Sequence, residues 1–469
     1  MGEVGGNGAP KPDGSAGEQD PVRKVILRER KPIPPFNEPA RDLRILNKPL
    51  WLLQRDLLAP YCEQELEVNS FHEIPRDRQE TLVYRDNLFF DAPFLAEFIQ
   101  RARALGKACQ VAFSPEDKAI VTHALPLQSG IYWEGDYYLA GMWYFPHGVE
   151  EWVRPLVIDT EAREIGFYHV PPYMADDKGD LVYWVPLKAF LSIENWVHVY
   201  LANSPFGILA EGARFEAQAS RWGTKLRILL RALLERKQFL SCSALVHVGR
   251  NTHIDPTAII QGPTIIGDNC TIGPGAVITN SLIGDNVNIM QGCQVMLSVV
   301  SDGCCLPFRA ALFMTVLMEN SLVAQNACLQ MCVVGRDSFV GAGTTFTDFN
   351  LFSQPIRTLH NGHLEETGIP VIGGCVGHHC RIGSGFVIYP GRIIESDTVL
   401  TRTETRGVID KNVAFEDGDQ VRYAGVGFRR LYPRREGTGP EGLVPEGAAG
   451  VARRTQDAQE PHSRGGRRR

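Results

Sequence analysis

No stretch of this sequence holds about 18 uncharged apolar residues in a row, the length that a membrane-crossing helix needs. The nearest run, Ala310–Met318, is too short to span and follows Arg309. Residues Met1–Asp20 are Gly- and Pro-rich with no apolar core segment, so they do not read as a secretory leader. Cysteine is sparse and unpatterned: eleven residues, an odd number, without disulfide-scaffold spacing. That usage excludes a small disulfide-built fold and points to reduced thiols in a cytoplasmic protein. Neither sign of charge is in large excess. A net charge of −6 spread over 469 residues gives no reason to expect nucleic acid or membrane insertion. What remains is ordinary globular material, 44% apolar and 22% charged, long enough for two or three domains.

Four zones follow from composition. Residues 1–21 form a low-complexity leader expected to be disordered. Residues 22–205 mix strand-like runs, such as Lys24–Leu27 and Thr81–Tyr84, with helix-like stretches at Pro49–Ala59 and Ala92–Leu105. That alternation predicts an α/β domain. Residues 206–242 read as a connecting helix. Within Lys225–Lys237 the leucines form an apolar stripe opposite a basic face, expected to pack on neighbouring elements.

The zone 243–405 is a repeat. Aliphatic residues recur every six positions at Val248, Ile254, Ile260, Ile266, Ile272 and Ile278, then at Ile283, Ile289 and Val295. The series returns as Val316, Leu322, Cys328, Val334, Val340 and Phe346, and closes with Val376, Ile382, Ile388, Ile394 and Leu400. Small residues occupy a second slot four positions on, among them Thr252, Ala258, Cys270, Ala276 and Thr344. A period of six fits neither a helix nor a hairpin sheet. It predicts a left-handed parallel β-helix of about eight or nine coils, three hexads to a coil. Glycines after the aliphatic residue, such as Gly267, Gly284 and Gly341, are expected to relieve positive φ at the corners.

The register assigns Cys270, Cys293, Cys332 and Cys380 to the small interior slot and Cys328 to the aliphatic one. It also accounts for Cys375-Val-Gly-His378-His379-Cys380, which has the residue types of a zinc site. The core claims Cys380 and a turn claims the histidines. His247 and His253 likewise read as turn residues. Residues 406–427 form a C-terminal extension. Residues 428–469, with ten arginines and five acids, are expected to be a disordered tail.

The passage Val333-Val-Gly-Arg-Asp-Ser-Phe-Val-Gly-Ala-Gly-Thr-Thr-Phe-Thr-Asp-Phe-Asn350 resembles the acyltransferase half of bifunctional N-acetylglucosamine-1-phosphate uridylyltransferase/glucosamine-1-phosphate acetyltransferases. The earlier half is similar to that family's sugar nucleotidyltransferase domain at Lys24–Leu27, Asn47-Lys-Pro-Leu50, Tyr84–Asp91 and Asn195–Asn203. The resemblance implies a Mg²⁺ site at Asp86 and Asn203 and a substrate contact at Lys48. It implies acetyl-CoA or another acyl-CoA as donor, a sugar phosphate or sugar nucleotide as the other ligand, and a homotrimer. The family's catalytic histidine falls on Gln325, and its Asn-Tyr pair falls on Asp348 and Phe349. Asp86 has a second reading as a plain strand-end cap.

Two departures bear on activity. The family's Gly-rich nucleotide loop corresponds to Arg28–Ala40, which contains no glycine and four prolines. Such loops work by bringing backbone N–H groups close to phosphate, which glycine permits and proline opposes. Arg28, Arg30 and Lys31 supply charge there instead. Gln325 has no titratable group and cannot act as a base, and a coil insertion near 300–315 is one way the register would shift. His360 and His363 are the alternative bases. These features leave a sugar-nucleotide-related transferase and a non-catalytic, ligand-binding or scaffold relative as the competing expectations.

Overall fold

The computed structural model describes residues 22–435 except 172, 174–178, 220–221, 352–353 and 423–428. The leader 1–21 and residues 436–469 lie outside the described residues. Two halves follow one another, an α/β domain and a left-handed parallel β-helix, joined by helices.

The α/β domain is built on a mixed sheet of β1 (Val22–Leu27), β2 (Cys62–Val68), β3 (Thr81–Arg85), β4 (Cys109–Phe113), β5 (Tyr137–Phe145) and β6 (Arg154–Val157), in the order β6-β4-β5-β3-β1-β2. Strand β1 is buried along its length between parallel neighbours β2 and β3. Its two cations survive burial by pairing: Arg23 with Asp77 at 2.6 Å and Lys24 with Glu65 at 2.6 Å. The expected helices form as α1 (Leu50–Leu58) and α2 (Ala92–Leu105). Asp91 caps α2 by accepting from Phe94 N at 3.0 Å, and Gly106 ends it in the left-handed conformation. Phe94, Leu95, Phe98, Ile99 and Ala102 are its buried stripe.

Every residue of helix α3 (Trp196–Asn203) is buried, and its polar side chains His198 and Asn203 are met by hydrogen bonds inside the protein. The helix lies between the α/β core and the solenoid strand Val333–Val334, which is why it needs no polar face. The region 206–242 is not one helix. A π-helical turn leads into α4 (Ala210–Ala219), followed by α5 (Trp222–Glu235). The leucine stripe of α5 does not pack as expected: only Ile228 and Ala232 join a core, with Cys242 and Leu245.

The solenoid has three parallel sheets of eight short strands each, hence eight coils. Through residue 346, partners along one sheet are 17 or 18 residues apart, as in Ile266 to Ile283 and Val248 to Ile266. No coil is inserted near 300–315; Val300, Cys304, Leu306, Ala310 and Leu312 continue the interior without a break. Because coils here are 17 rather than 18 residues long, the expected register slips by one between 316 and 328. The interior residues are Leu317, Val323 and Leu329. Val316 faces the α/β domain instead, and Leu322 and Cys328 sit half-buried on the outside. Cys270, Cys293, Cys332 and Cys380 are interior as expected, joined by Cys304.

The corner glycines serve a different purpose from the one expected. Gly249, Gly267, Gly284, Gly335 and Gly341 are not among the positive-φ residues. A Cβ on Gly341 would lie 2.4 Å from the Gly383 carbonyl carbon of the next coil, so close stacking of coils demands glycine. The left-handed residue comes two positions later, at Asn251, Asn269, Asn286, Asp337 and Gly343. Asparagine tolerates that conformation better than other side chains.

Outward residues Val299, Val316, Val333, Cys375 and Ile393 of one sheet are buried against the α/β domain, making one continuous core across both halves. A second attachment is the hook Pro32–Pro39, whose Phe36 is fully buried and stacks on His378 with ring centroids 4.9 Å apart. The carbonyl of Pro35 accepts from Ser396 Oγ at 2.9 Å. It reaches that position because Gly377 beneath it has no side chain; a Cβ there would lie 2.7 Å from the same oxygen. Residues 429–435, within the span expected as tail, are also seated on this corner, where Arg434 Nε donates to Glu395 at 2.7 Å.

One core group has a pH signature. His123 is buried between Tyr183 and Phe206; its Nε2 accepts from Trp184 N at 3.1 Å, and its Nδ1 has no partner among the described residues. Burial pushes the imidazole down to about 4. A depressed folded-state value means that stability is complete above the unfolded value of 6.5 and is lost as pH falls towards 4. The loss is about 2 kcal/mol at pH 5 by linkage. His123→Gln keeps the acceptor and should flatten the pH 7 to pH 5 difference in unfolding free energy, read from urea titration, by that amount. An unchanged difference would show that His123 carries none of it.

Candidate functional site

Two concavities contain the chemistry-bearing residues. The first opens at the carboxyl ends of β1 and β3, where α/β sheets commonly bind ligands. It has a volume of about 300 Å³ and is lined by Lys31, Arg85, Asn87, Tyr132, Trp143 and Glu194, among others. Glu194 accepts from Ser129 N at 3.0 Å, Gly130 N at 2.7 Å and Ser192 Oγ at 2.9 Å. Burial pushes its carboxyl up, but these donors outweigh burial and hold it below the usual range. Asn87 is 3% exposed and donates to Ser192 Oγ at 3.2 Å, while its Oδ1 has no partner among the described residues. A buried, unmet acceptor in a cavity wall is a place for a ligand donor.

Asp86 lies beside this cavity and is 1% exposed. One carboxylate oxygen accepts from Glu29 N at 2.7 Å; the other faces Arg28 Nε at 3.2 Å and Arg41 at 3.4 Å. Burial pushes its carboxyl up to about 6 despite those partners. Asn203 is occupied elsewhere: Oδ1 accepts from Leu46 N at 2.8 Å, and Nδ2 donates to Val199 O at 2.8 Å and Arg44 O at 3.1 Å. With the two guanidinium groups at Asp86 and the Asn203 amide spent on backbone, these residues do not fit a hard cation, which needs free oxygen donors. No cluster of three His, Cys, Asp or Glu placed to hold a metal occurs among the described residues.

Of the other cations expected near phosphate, Arg28 also pairs with Glu67 at 2.5 Å and Arg30 donates to Asn69 at 2.7 Å. Lys31 alone lines the cavity, where it donates to Asn361 at 2.8 Å. Lys48 lines neither concavity and pairs with Asp56 at 2.7 Å.

The second concavity is a groove of about 830 Å³ on the solenoid, where residues 347–374 leave the coil. Phe349 lines it, with Arg357, Tyr389, Arg392 and Asp410. Arg392 is positioned by donating to Arg357 O at 2.7 Å and Pro390 O at 3.2 Å. Asp348 does not line the groove; it is half-buried, its carbonyl accepts from Ile372 N at 2.9 Å, and burial pushes its carboxyl up.

The excursion carries a hairpin, Arg357–His360 against His363–Glu366, whose first strand is held by the start of α3. There, Asn195 donates to Leu359 O at 2.9 Å and Trp196 to Thr358 Oγ1 at 2.9 Å. His360 is buried and its Nδ1 is 3.0 Å from Glu365, whereas His363 is exposed; neither lines the groove. Gln325 is a corner residue whose carbonyl accepts from Gly343 N at 3.0 Å, and it too lies outside the groove. Sequence reasoning missed Arg85, Asn87, Glu194, Tyr389, Arg392 and Asp410. They come from separate segments that only the fold assembles, and no local motif marks them.

Residues 246–280 match the family of bacterial transferase hexapeptide repeats, described as six repeats. No curated protein matches the chain. Among solved structures, part of the chain is similar to a mutant of a GDP-perosamine N-acetyl transferase from Caulobacter crescentus, in complex with CoA and GDP-perosamine. The identity is 17% and the TM-score 0.15, and the match covers 35% of this chain and 52% of that one. No residue role is carried over from it.

Proposed function

We propose that the protein is a hexapeptide-repeat acyltransferase that takes an acyl-CoA donor and acts on a phosphorylated sugar or sugar nucleotide. The groove at Phe349 carries this reading. Its volume is in the range of cofactor sites, two arginines flank it for phosphate, and Phe349 and Tyr389 offer apolar surface. The smaller polar cavity with Lys31, Arg85 and the unmet Asn87 acceptor suits the sugar phosphate. A homotrimer is part of the proposal. The eight strands of one solenoid sheet, from Ile259–Gln261 to Val408–Ile409, contain no charged residue, and depletion of charge is typical of interface cores.

Nucleotidyl transfer is not favoured, because the loop that would cradle a nucleotide is the hook bound to the solenoid. A non-catalytic sugar-nucleotide binder is the second reading, favoured because no histidine among the described residues lines the groove. Calorimetry with CoA and with UDP- and GDP-sugars, together with assay of free CoA released from acetyl-CoA, tests both. CoA binding that weakens at least about tenfold in Arg357→Ala/Arg392→Ala is expected, since each charge-assisted contact is worth about 1.5–3 kcal/mol. Thiol release with a sugar nucleotide supports the enzyme. Sugar nucleotide binding without CoA binding overturns it in favour of the second reading.

A further inference from the structure

The joining helix α5 has an apolar face that nothing among the described residues covers. Leu226, Leu229, Leu230, Leu233 and Leu234 are 50–81% exposed, and Phe239 and Leu240 extend the patch past the helix end. The opposite side already has its partner, since Ile228 and Ala232 pack on Cys242 and Leu245. At 3.6 residues per turn the exposed leucines centre about 140–160° around the helix from those two anchors. The helix therefore has two apolar faces, and the solvent-facing one is the larger.

Its flanks are basic. Lys225, Arg227, Arg231, Arg236 and Lys237 are all exposed, against one acid, Glu235, which is taken up by Ser243 N at 2.9 Å and Arg231 at 2.9 Å. Lys225 lies on one side of the leucine stripe and Arg227 and Arg231 on the other, the arrangement in which long basic side chains reach past an embedded apolar face to a charged layer. We propose that this face docks onto an anionic lipid surface, with the leucines in the headgroup–acyl boundary and the flanking cations on lipid phosphates. Charge decides against a second copy as the occupant. Two such faces packed together would bring ten cations into one interface with only two acids, both already engaged. No helix among the described residues is long and apolar enough to cross a bilayer, so the contact is with the surface.

The experiment is co-sedimentation of the full chain with phosphatidylcholine vesicles, with or without about 30% phosphatidylglycerol, an anionic content that gives a substantial surface potential. Binding to the anionic vesicles alone, released by about 0.5 M salt, is expected because screening shortens the reach of the cations. Leu229→Glu/Leu233→Glu should weaken it at least about tenfold, and Lys225→Ala/Arg227→Ala should remove the preference for anionic lipid. Both sets alter exposed side chains, so thermal melting should be unchanged. Failure of the full chain to bind either vesicle overturns the proposal. So does binding that survives both sets of substitutions. A drop in oligomeric mass for the Leu→Glu pair, without vesicle binding by the parent, would show that another protein surface covers α5.

Discussion

Phe36→Ala lowers the stability of the full chain by about 3–5 kcal/mol, the cost of emptying a fully buried aromatic site that cannot collapse. The site cannot collapse because its walls are rigid. His378 stacks on one side of the ring, and the neighbouring backbone is held to the last coil through the Pro35 and Phe36 carbonyls, which accept from Ser396 Oγ at 2.9 and 3.2 Å. The measurement is the urea midpoint at constant slope. A loss below about 1 kcal/mol, the level of ordinary surface substitutions, would mean that the hook lies on the solenoid without stabilising it.

Glu395→Ala is the second large effect, about 2–3 kcal/mol, because it removes a buried acceptor that several donors share and leaves the half-buried Arg430 and Arg434 with Glu416 alone. The Glu395 carboxylate is fully buried and receives Arg434 Nε at 2.7 Å, Arg430 at 2.9 Å, Asn37 Nδ2 at 3.0 Å and Phe415 N at 2.8 Å. Burial pushes the carboxyl up, but Arg434, Phe415 N and Asn37 outweigh it and hold it below the usual range. With the folded value depressed, this stability is present above the unfolded carboxyl range and is lost as pH falls through it. Asn37 belongs to the hook, so the two substitutions share partners. Phe36→Ala/Glu395→Ala should cost less than the sum of the single changes. Strict additivity, or a Glu395→Ala loss under about 1 kcal/mol, would count against a joint clamp.

The hexads made the solenoid legible because each coil repeats one local steric requirement: a large side chain inward, a small one beside it, and no Cβ where coils touch. Cys270, Cys293, Cys332 and Cys380 could be placed for that reason. The same reading misplaced Cys328 by one residue, since it kept a spacing of six up to Val334 across a corner where the interior residues, Leu329 and Val334, are five apart. It credited the glycine after each aliphatic residue with a left-handed turn made two positions later, by asparagine at Asn251, Asn269 and Asn286 and by glycine at Gly343 and Gly385. At the candidate sites Phe349 was legible and reaches a groove, whereas Gln325, His360 and His363 do not line one. A match of residue types along the chain carries no information about which way a loop turns.

The sequence by itself determined the β-helix, the α/β class of the first half and the positions of α1 and α2, because periodicity and capping act between near neighbours. Tertiary structure alone decided what Arg28–Ala40 does. Its Glu38 meets Arg336 at 3.0 Å across 298 positions of chain, and its Lys31 meets Asn361 across 330. It decided likewise that Asp86 faces two arginines and that the leucines of α5 face outward. Charge pairing and burial depend on distance in space, and that distance exists only once the two halves have packed into one core.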